Sequence, residues 1–194
     1  MRWTRADYAG SAVATARRLV GAHLVHEMPE GRTVLRITET EAYGGWYEGR
    51  PDDGAHAYRG RTARTEVLFG EPGHAYIYLI YGMYCCFNIS CDGEGTAGCV
   101  LLRAGEPVEG EELIRQRRGK SKGTALTCGP GRLCLAMAID RSLYGADLVN
   151  GPLYVESGTP CEIEISRRKH IDYATYGREF PWRFTLKGSL WVSR

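Results

Sequence analysis

The chain has 194 residues, of which 43% are hydrophobic, and its formal net charge is +2 at pH 7. This length fits one domain with a single core, because chains usually divide into several domains only beyond about 250 residues. The first residues lack the apolar run of a signal peptide, and no segment approaches the roughly 20 apolar residues that cross a bilayer. We therefore expect an intracellular protein with no membrane partner, and the small net charge does not by itself indicate a nucleic-acid partner.

Seven cysteines are spread along the chain without a C-x-x-C pair. An odd number of cysteines in a chain of this size argues against a disulfide framework. Four of them lie in apolar, strand-like segments, where a small buried hydrophobic side chain is the commoner role. We expect reduced thiols, no metal site and no cofactor.

The first quarter of the chain predicts one helix and two strands. Apolar residues at helical spacing indicate a helix over 10–20, with Ser11 as its N-cap. A short strand near 24–26 and a turn follow. The segment TVLRITET (33–40) alternates and is rich in β-branched residues, so it predicts a strand that runs into Glu41.

The middle of the chain predicts a loop, a hairpin and a strand. Residues 44–54 are rich in Gly, Pro and Asp, which is typical of a loop. The segment HAYIYLIYGMYCCFNIS (74–90) contains two aromatic and aliphatic runs broken by Gly82, which indicates a β-hairpin. After a Gly-rich turn, CVLLRA (99–104) predicts a further strand.

The last part of the chain predicts two helices and several short strands. The helices are expected over 109–117 and 130–139, where Pro130 suits the first helical turn. The strands are expected in LYVE (153–156), EIEIS (162–166) and RFTLKGSLWV (183–192). Because strands and helices do not alternate regularly, we expect an α+β fold. It would be a single domain over 1–194, with a curved, mostly antiparallel, open-barrel-like sheet, surrounding helices and a protruding hairpin.

The hairpin register decides which side chains share a face. A three-residue loop over 81–83 pairs Tyr78 with Cys86 and Tyr76 with Asn88, and side chains along a strand alternate between faces. Tyr76, Tyr78 and Asn88 then lie on one face. A two-residue loop would shift the pairing and remove this grouping.

The same register leaves Tyr81 and Met83 at the hairpin tip. A large aromatic side chain beside glycine at an exposed tip cannot bury itself in the core, and such side chains can act as wedges between base pairs. The alternative is that all the tyrosines of the hairpin pack on one another in a β core.

A carboxylate and an arginine lie close to strand ends. Glu39 and Glu41 are two residues apart, so both face the same side of a strand, with Tyr43 two residues further. Glu41 is the better candidate catalyst, because a side chain at a strand end can face a cleft while rigid structure holds it. Arg103, at the end of VLLR, could hold a water molecule or a phosphate. Alternatively, the glutamates are surface residues of an edge strand and Arg103 only reaches out to solvent.

Six segments, in order and spanning nearly the whole chain, resemble the alkyladenine (3-methyladenine) DNA glycosylase family. They are ITETEAY (37–43), HAYRGRTARTEVLFGEPG (56–73), YIYLIYGMYCCFNIS (76–90), CVLLRAGEP (99–107), GPGRLC (129–134) and PWRFTLKGSLWVS (181–193). The resemblance implies a DNA glycosylase of base excision repair that flips damaged purines out of duplex DNA. It would hydrolyse the N-glycosidic bond of 3-methyladenine, 7-methylguanine, hypoxanthine or ethenoadenine and leave an abasic site.

The resemblance also implies roles for single residues. Glu41 corresponds to the general base that activates the attacking water, and Arg103 helps to hold that water. One carboxylate can both activate water and stabilise the positive charge that develops on the sugar. Tyr43 and Tyr78 correspond to the stacking walls around the flipped base, with His56 at the edge of that base.

Five further residues match segments that contact DNA or the base. Asn88 corresponds to the asparagine that crowds the 2-amino group of guanine and so favours damaged adenines. Tyr81, with Met83, corresponds to the side chain that fills the gap in the duplex. Arg61 and Arg64 lie in the basic run 59–64 and are expected to contact phosphates. A second basic run, RQRRGKSK (115–122), is explained equally well by a solvated charged surface.

Two segments depart from the family pattern. Residues 44–55 (GGWYEGRPDDGA) form a longer loop than is usual, which leaves the matching of its Asp residues open. The segment RKHIDYA (168–174) is similar to R-I-G-I-D-Y, so Ile171 would lend its backbone carbonyl to the water site. Lys169 and His170 replace an apolar residue and a glycine there, and a solvated loop histidine is the simpler interpretation of His170.

The lysines bear on whether the DNA strand is also cut. A glycosylase that cleaves the strand uses an amine to form a Schiff base. None of the four lysines, Lys120, Lys122, Lys169 and Lys187, lies in the hairpin or in the strands that lead to Glu41 and Arg103. We therefore expect a monofunctional enzyme that acts as a monomer on double-stranded DNA.

Two other functions remain open. The first is a non-catalytic DNA binder that uses the tyrosines as a stacking platform. The second is a formyl-transfer or other small-molecule enzyme on a related open-barrel architecture. That second class needs a nucleophile and a His/Asp set that the sequence does not assemble, and it gives no reason for Tyr81 at a hairpin tip.

Overall fold

One antiparallel sheet organises the chain in the computed structural model, which describes residues 1–93 and 95–193. The strands are β1 (His23–Met28), β2 (Gly31–Tyr43), β3 (Trp46–Tyr47), β4 (Arg50–Pro51), β5 (Ala75–Ile80), β6 (Tyr84–Cys91), β7 (Gly98–Glu109), β8 (Leu153–Glu156), β9 (Ile163–Ser166) and β10 (Arg183–Leu186). The helices are α1 (Arg5–Tyr8), α2 (Ala12–Leu19), α3 (Glu111–Arg118) and α4 (Pro130–Ala136). Short 3₁₀ turns include His56–Arg59, Glu66–Phe69 and Gly177–Glu179.

The long strand β2 is the centre of the sheet. The main path runs β5-β6-β7-β2-β1-β8, and β10 joins by pairing with both β2 and β9. Register shifts occur along the β2–β7 ladder, two of them beside Glu39, and such bulges bend a strand and increase its twist. The sheet does not close into a barrel. The predicted α+β fold with an antiparallel, open sheet is confirmed.

Helix α2 covers one face of the sheet because its apolar side faces β2. Ser11 caps the helix by accepting a hydrogen bond from the Ala14 N–H, as the sequence predicts. Leu19 of the helix is fully buried together with Leu35 and Ile37 of β2. Burying each such side chain stabilises the fold by about 1.5–3 kcal/mol. The core therefore forms around the strand that also carries Glu39 and Glu41.

The hairpin register predicted from the sequence is confirmed. Tyr78 pairs with Cys86 and Tyr76 with Asn88, and the strands β5 and β6 are joined by residues 81–83. Tyr76, Tyr78 and Asn88 therefore lie on one face of the hairpin.

The structure corrects several predicted boundaries. The expected strand over 183–192 ends at Leu186, because Gly188 has a φ of 72° and the chain turns there. The strand predicted over 99–104 continues to Glu109, and the helix predicted over 130–139 ends at Ala136. The loop over 44–54 contains the small β3–β4 pair.

All seven cysteines are free thiols. Within residues 1–93 and 95–193, none of the helices combines the length and the apolar character that a membrane crossing requires. In the same residues, no group of three or more His, Cys, Asp or Glu side chains is arranged to hold a metal ion.

Candidate active site

A cleft of about 1060 Å³ opens beside the β5–β6 hairpin. Its volume lies at the top of the range of about 300–1000 Å³ that is usual for small-ligand sites. The hairpin lines it together with the connection between α3 and α4, residues 169–173 and residues 192–193. Of the side chains that the sequence singled out, those that line it are Tyr43, His56, Tyr78, Tyr81, Asn88, Arg103 and Ile171.

Glu41 lies just beneath the cleft surface and has no exposed surface of its own. Its Oε2 accepts hydrogen bonds from the Tyr43 hydroxyl (2.9 Å) and from Arg103 Nη1 (3.1 Å). Its Oε1 accepts one from the backbone N–H of Lys169 (2.8 Å). All three donors line the cleft, so the carboxylate is one layer behind the wall rather than in it.

Arg103 is buried and does not reach out to solvent. Its Nε donates to Glu39 (3.0 Å) and its Nη1 to Glu41 (3.1 Å), while Arg183 Nε also donates to Glu39 (2.7 Å). We call these four side chains the buried charge cluster. Burial acts to raise the pKa of Glu39, but Arg103, the Ser193 N–H and Arg183 outweigh it and lower that pKa. Two guanidinium groups thus balance two carboxylates away from water.

The predicted aromatic face of the hairpin forms one side of the cleft. The ring centroids of His56 and Tyr78 lie 4.6 Å apart, and His56 Nδ1 is 2.8 Å from the Tyr76 hydroxyl. Asn88 Nδ2 donates to the Tyr76 carbonyl (3.2 Å), which fixes the amide at the cleft wall. Burial, together with the positive charge of Arg64, lowers the pKa of His56 to about 4. His56 is therefore neutral at pH 7.

Tyr43 is held by a buried ion pair that the sequence analysis did not identify. The Arg168 guanidinium donates to both carboxylate oxygens of Asp52 (2.6 and 2.7 Å) and to the Ala42 and Gly177 carbonyls (both 2.8 Å). It lies 4.5 Å from the centroid of the Tyr43 ring. Burial and the Glu41 carboxylate raise the pKa of Tyr43, so its hydroxyl stays protonated and donates to Glu41.

The hairpin tip, residues 81–83, is the most exposed apolar part of the cleft region. Tyr81 is 85% exposed and lines the cleft, whereas Met83 is 67% exposed and does not line it. Tyr81 and Gly82 both have left-handed backbones, with φ of 51° and 68°. An aromatic residue in this region costs about 1–2 kcal/mol relative to its ordinary conformation. Such local strain is typical of functional positions.

The two arginines of the basic run 59–64 differ in position. Arg64 lies over the Tyr78 ring, 5.1 Å from its centroid, so its charge is next to the aromatic side of the cleft. Arg61 lies 5.2 Å from the centroid of the Phe69 ring. Both side chains are exposed.

Several residues of the segment 168–174 line the cleft, in addition to Ile171. Ile171 is buried and lines the cleft, and its carbonyl accepts a hydrogen bond from the Ala174 N–H (2.9 Å). Lys169 and His170, the two residues that depart from the family pattern, also line the cleft. Lys169 therefore brings an amine to the site, although no lysine lies in the hairpin or in the strands that carry Glu41 and Arg103.

The residues that the sequence analysis missed have no local signal. Arg168 and Asp52 are 116 positions apart, and Ser193 is 154 positions from Glu39. Neither pair belongs to a helical or strand period, so only the folded chain brings its members together. The resemblance gave the one available hint, because RKHIDYA begins with the arginine of the family pattern.

Comparison with known proteins agrees with the sequence resemblance. Residues 6–190 match the family model described as "Methylpurine-DNA glycosylase (MPG)". A relative from Methanocella arvoryzae is 47% identical, covering 96% of this chain and 93% of its own. A relative from Desulfitobacterium hafniense is 44% identical, covering 99% and 98%, and one from Streptomyces avermitilis is 44% identical, covering 98% and 90%. All three are named "Putative 3-methyladenine DNA glycosylase". The chain belongs to the methylpurine-DNA glycosylase family.

Proposed function

We propose that the protein removes alkylated or deaminated purines from duplex DNA by hydrolysing the N-glycosidic bond with a water activated by Glu41. The substrates would be the 3-methyladenine, 7-methylguanine, hypoxanthine and ethenoadenine class, and the product an abasic site. The observation that carries the proposal is the position of Glu41, whose three hydrogen-bond donors all line an aromatic cleft. We further propose that the protein acts as a monomer inside the cell, with damaged duplex DNA as its partner.

The cleft suits an extruded base because its walls are aromatic. Tyr43 and Tyr78 would stack on the two faces of the base, and Tyr81 at the hairpin tip would fill the gap in the duplex. Arg61 and Arg64 are proposed to contact the phosphates beside that gap. Extrusion costs a few kcal/mol and is least for poorly paired bases, so part of the selectivity arises before the base reaches the cleft.

The charge of the substrate matches the cleft wall. Alkylation at N3 or N7 gives a purine a positive charge, and aromatic faces attract cations. Because the pKa of His56 is lowered to about 4, its neutral imidazole does not repel such a base. The fixed amide of Asn88 would crowd the 2-amino group of guanine and disfavour undamaged guanine. A cationic purine also leaves the sugar with little acid assistance, whereas hypoxanthine would need protonation.

The catalytic step requires a water at the carboxylate of Glu41. Its Oε2 bonds the Tyr43 hydroxyl, and stacking of a base on Tyr43 would shift that hydroxyl and leave the oxygen to a water. Glu41 would take the proton of this water and stabilise the positive charge that develops on the sugar. Arg103 and the Lys169 N–H would keep the carboxylate in place.

The test is Glu41→Gln, assayed for release of hypoxanthine and methylated adenine from purified duplexes. We expect base release to fall by about 10²- to 10⁴-fold, because an amide cannot accept the proton of the water. Binding to the lesion duplex should remain, because the cleft walls are unchanged. Base release at the normal rate would reject Glu41 as the base. Binding by the unaltered protein without any base release would instead favour a non-catalytic DNA binder.

Glu39→Gln is the matched control. It removes a second buried carboxylate that also bonds Arg103, but the other donors to Glu39 are Arg183 and Ser193. We expect both variants to lower the free energy of unfolding by similar amounts. Only Glu41→Gln should abolish base release in the temperature range where both variants are folded.

A further inference from the structure

A lysine lies in the cleft wall, and its backbone contacts the Glu41 carboxylate. Lys169 lines the cleft, and its Nζ donates to the backbone carbonyl of Ser193 (2.8 Å), which lines the cleft as well. Its backbone N–H donates to Glu41 Oε1 (2.8 Å). The lysine whose amine would meet the sugar carbon is therefore bonded, through its backbone N–H, to the carboxylate that would activate water.

The backbone of Lys169 is firmly anchored. The preceding residue, Arg168, has a fully buried guanidinium that forms a two-point ion pair with Asp52. On the other side, the peptide N–H of Lys169 itself bonds the buried Glu41. The backbone of Lys169 is therefore fixed at the cleft wall, and only rotation about its side-chain bonds moves the amine.

The surroundings of the amine make it easier to deprotonate than an ordinary lysine. Partial burial, and then the positive charges of Arg183 and Arg103, lower the pKa of Lys169, and the nearby Glu39 and Glu41 only partly offset this. Its hydrogen-bond partner is a carbonyl, which is neutral, rather than a carboxylate. Lysines in such surroundings are the ones that form Schiff bases with carbonyl compounds, because only the unprotonated amine attacks a carbonyl carbon.

We propose that Lys169 gives the protein a second activity, in which its amine forms an imine with the aldehyde of an abasic site and the DNA strand is then cut on the 3′ side. This inference rests on the proposed function, because the abasic site is the product of that reaction. It revises the expectation of a monofunctional enzyme.

The chemistry needs no reactant beyond the abasic site and water. The neutral Nζ attacks the C1′ carbonyl carbon of the ring-opened sugar, and the carbinolamine loses water to give the imine. A C2′ proton then passes to water while the bond between C3′ and the 3′ phosphate oxygen breaks, so that the phosphate leaves with the electron pair. Water hydrolyses the remaining unsaturated imine, which frees Lys169 and releases the unsaturated aldehyde.

Lys187 provides a matched control because it is a lysine in a different setting. Its Nζ pairs with the Glu162 carboxylate (2.6 Å), both side chains are more than half exposed, and neither residue lines the cleft. That amine is paired at the surface, away from the cleft.

The experiment traps the imine on preformed abasic sites. A duplex with one abasic site, made by removing a uracil beforehand, is mixed with the full chain and sodium borohydride, and the covalent adduct is measured on a denaturing gel. Nicking of the same duplex is measured without borohydride. We expect a trapped adduct for the unaltered protein and for Lys187→Gln, and about a tenfold or greater loss of adduct and nicking for Lys169→Arg, which keeps the charge but has no attacking amine.

Two further measurements keep each outcome decisive. Peptide mapping of the reduced wild-type adduct should place the sugar remnant on Lys169, which tests the proposal even if the variant folds poorly. Glu41→Gln should still be trapped, because the preformed abasic site bypasses base removal. The proposal fails if the unaltered protein gives no adduct, if Lys169→Arg keeps it, or if it maps to another amine. If the imine is trapped but no damaged base is released, the glycosylase proposal fails and the imine proposal stands.

Discussion

The buried charge cluster and the hairpin tip are two parts of one site, yet their side chains are held in opposite ways. Glu41 has no exposed surface and three hydrogen-bond donors within the protein, whereas Tyr81 is 85% exposed. The cluster is complete without DNA, so its geometry is set by the fold. The tip has a strained backbone and uncovered apolar surface, so its stabilisation must come from a partner. Mutations should therefore affect stability at the cluster and binding at the tip.

The largest effect on stability is expected for Arg103→Met. The change leaves the carboxylates of Glu39 and Glu41 buried without their shared guanidinium, and breaking such a pair costs about 3–5 kcal/mol. Chemical denaturation of the purified variant measures this loss. Arg115→Met is the control, because it removes only an exposed pair with Glu111 that contributes about 0.3–0.5 kcal/mol. Equal losses in the two variants would show that the cluster contributes no more than a surface ion pair.

Tyr81→Ala should show the reverse behaviour. The free energy of unfolding should change by less than about 0.5 kcal/mol, because the side chain is exposed. The free energy of binding to a duplex with an abasic site should become less favourable by about 1–3 kcal/mol, which is the usual contribution of an aromatic side chain stacked on bases. Binding titrations and denaturation of the same preparation test both statements.

Trp46→Ala is the control for Tyr81→Ala. Trp46 is also a highly exposed aromatic residue, but it does not line the cleft. Its replacement should leave the affinity for DNA unchanged. If Tyr81→Ala lowers stability as much as it lowers affinity, the tip is a packing element and the contrast with the cluster disappears.

The two parts also differ in how far the sequence predicts them. The aromatic face of Tyr76, Tyr78 and Asn88 follows from the period of two along a strand and from the length of one loop, both of which are local. The burial of Arg103 depends on carboxylates of another strand and on Ser193 at the far end of the chain. Likewise, the position of Lys169 at the cleft depends on the Arg168–Asp52 ion pair and on the bond from its own N–H to Glu41. Contacts between distant residues have no period to detect, so these parts of the site required the structure.

The pH dependence of stability should reveal the contribution of His56. Its pKa falls from 6.5 to about 4 on folding, mainly through burial and then through Arg64. The unfolded chain therefore binds a proton between pH 6.5 and 4 that the folded chain does not, and stability falls as the pH decreases through this range. His56→Phe should remove this component, which amounts to at most about 3 kcal/mol.

Denaturation at several pH values measures that slope. Burial also lowers the pKa of His26, so His26→Phe should remove a component of the same sign and serves as a reference. The decisive quantity is the difference between His56→Phe and the unaltered protein. A slope that stays the same would mean that the pKa of His56 does not change on folding.

The smallest expected effect concerns the charges around the cleft. Arg61→Gln removes an exposed guanidinium that lies over the Phe69 ring, which should weaken binding to any duplex by a small factor, regardless of damage. If Arg61 contacts one phosphate, the slope of log affinity against log salt concentration should decrease by about 0.9, because one counterion fewer is released. Titrations on damaged and undamaged duplexes at several salt concentrations measure the change. An effect confined to damaged DNA would instead place Arg61 with the base-recognition residues. The control is Arg115→Gln, because Arg115 lies on the exposed face of α3 and does not line the cleft. This variant should leave the salt slope unchanged if only the hairpin side of the cleft meets DNA. Arg118→Gln is less suitable because Arg118 lines the cleft.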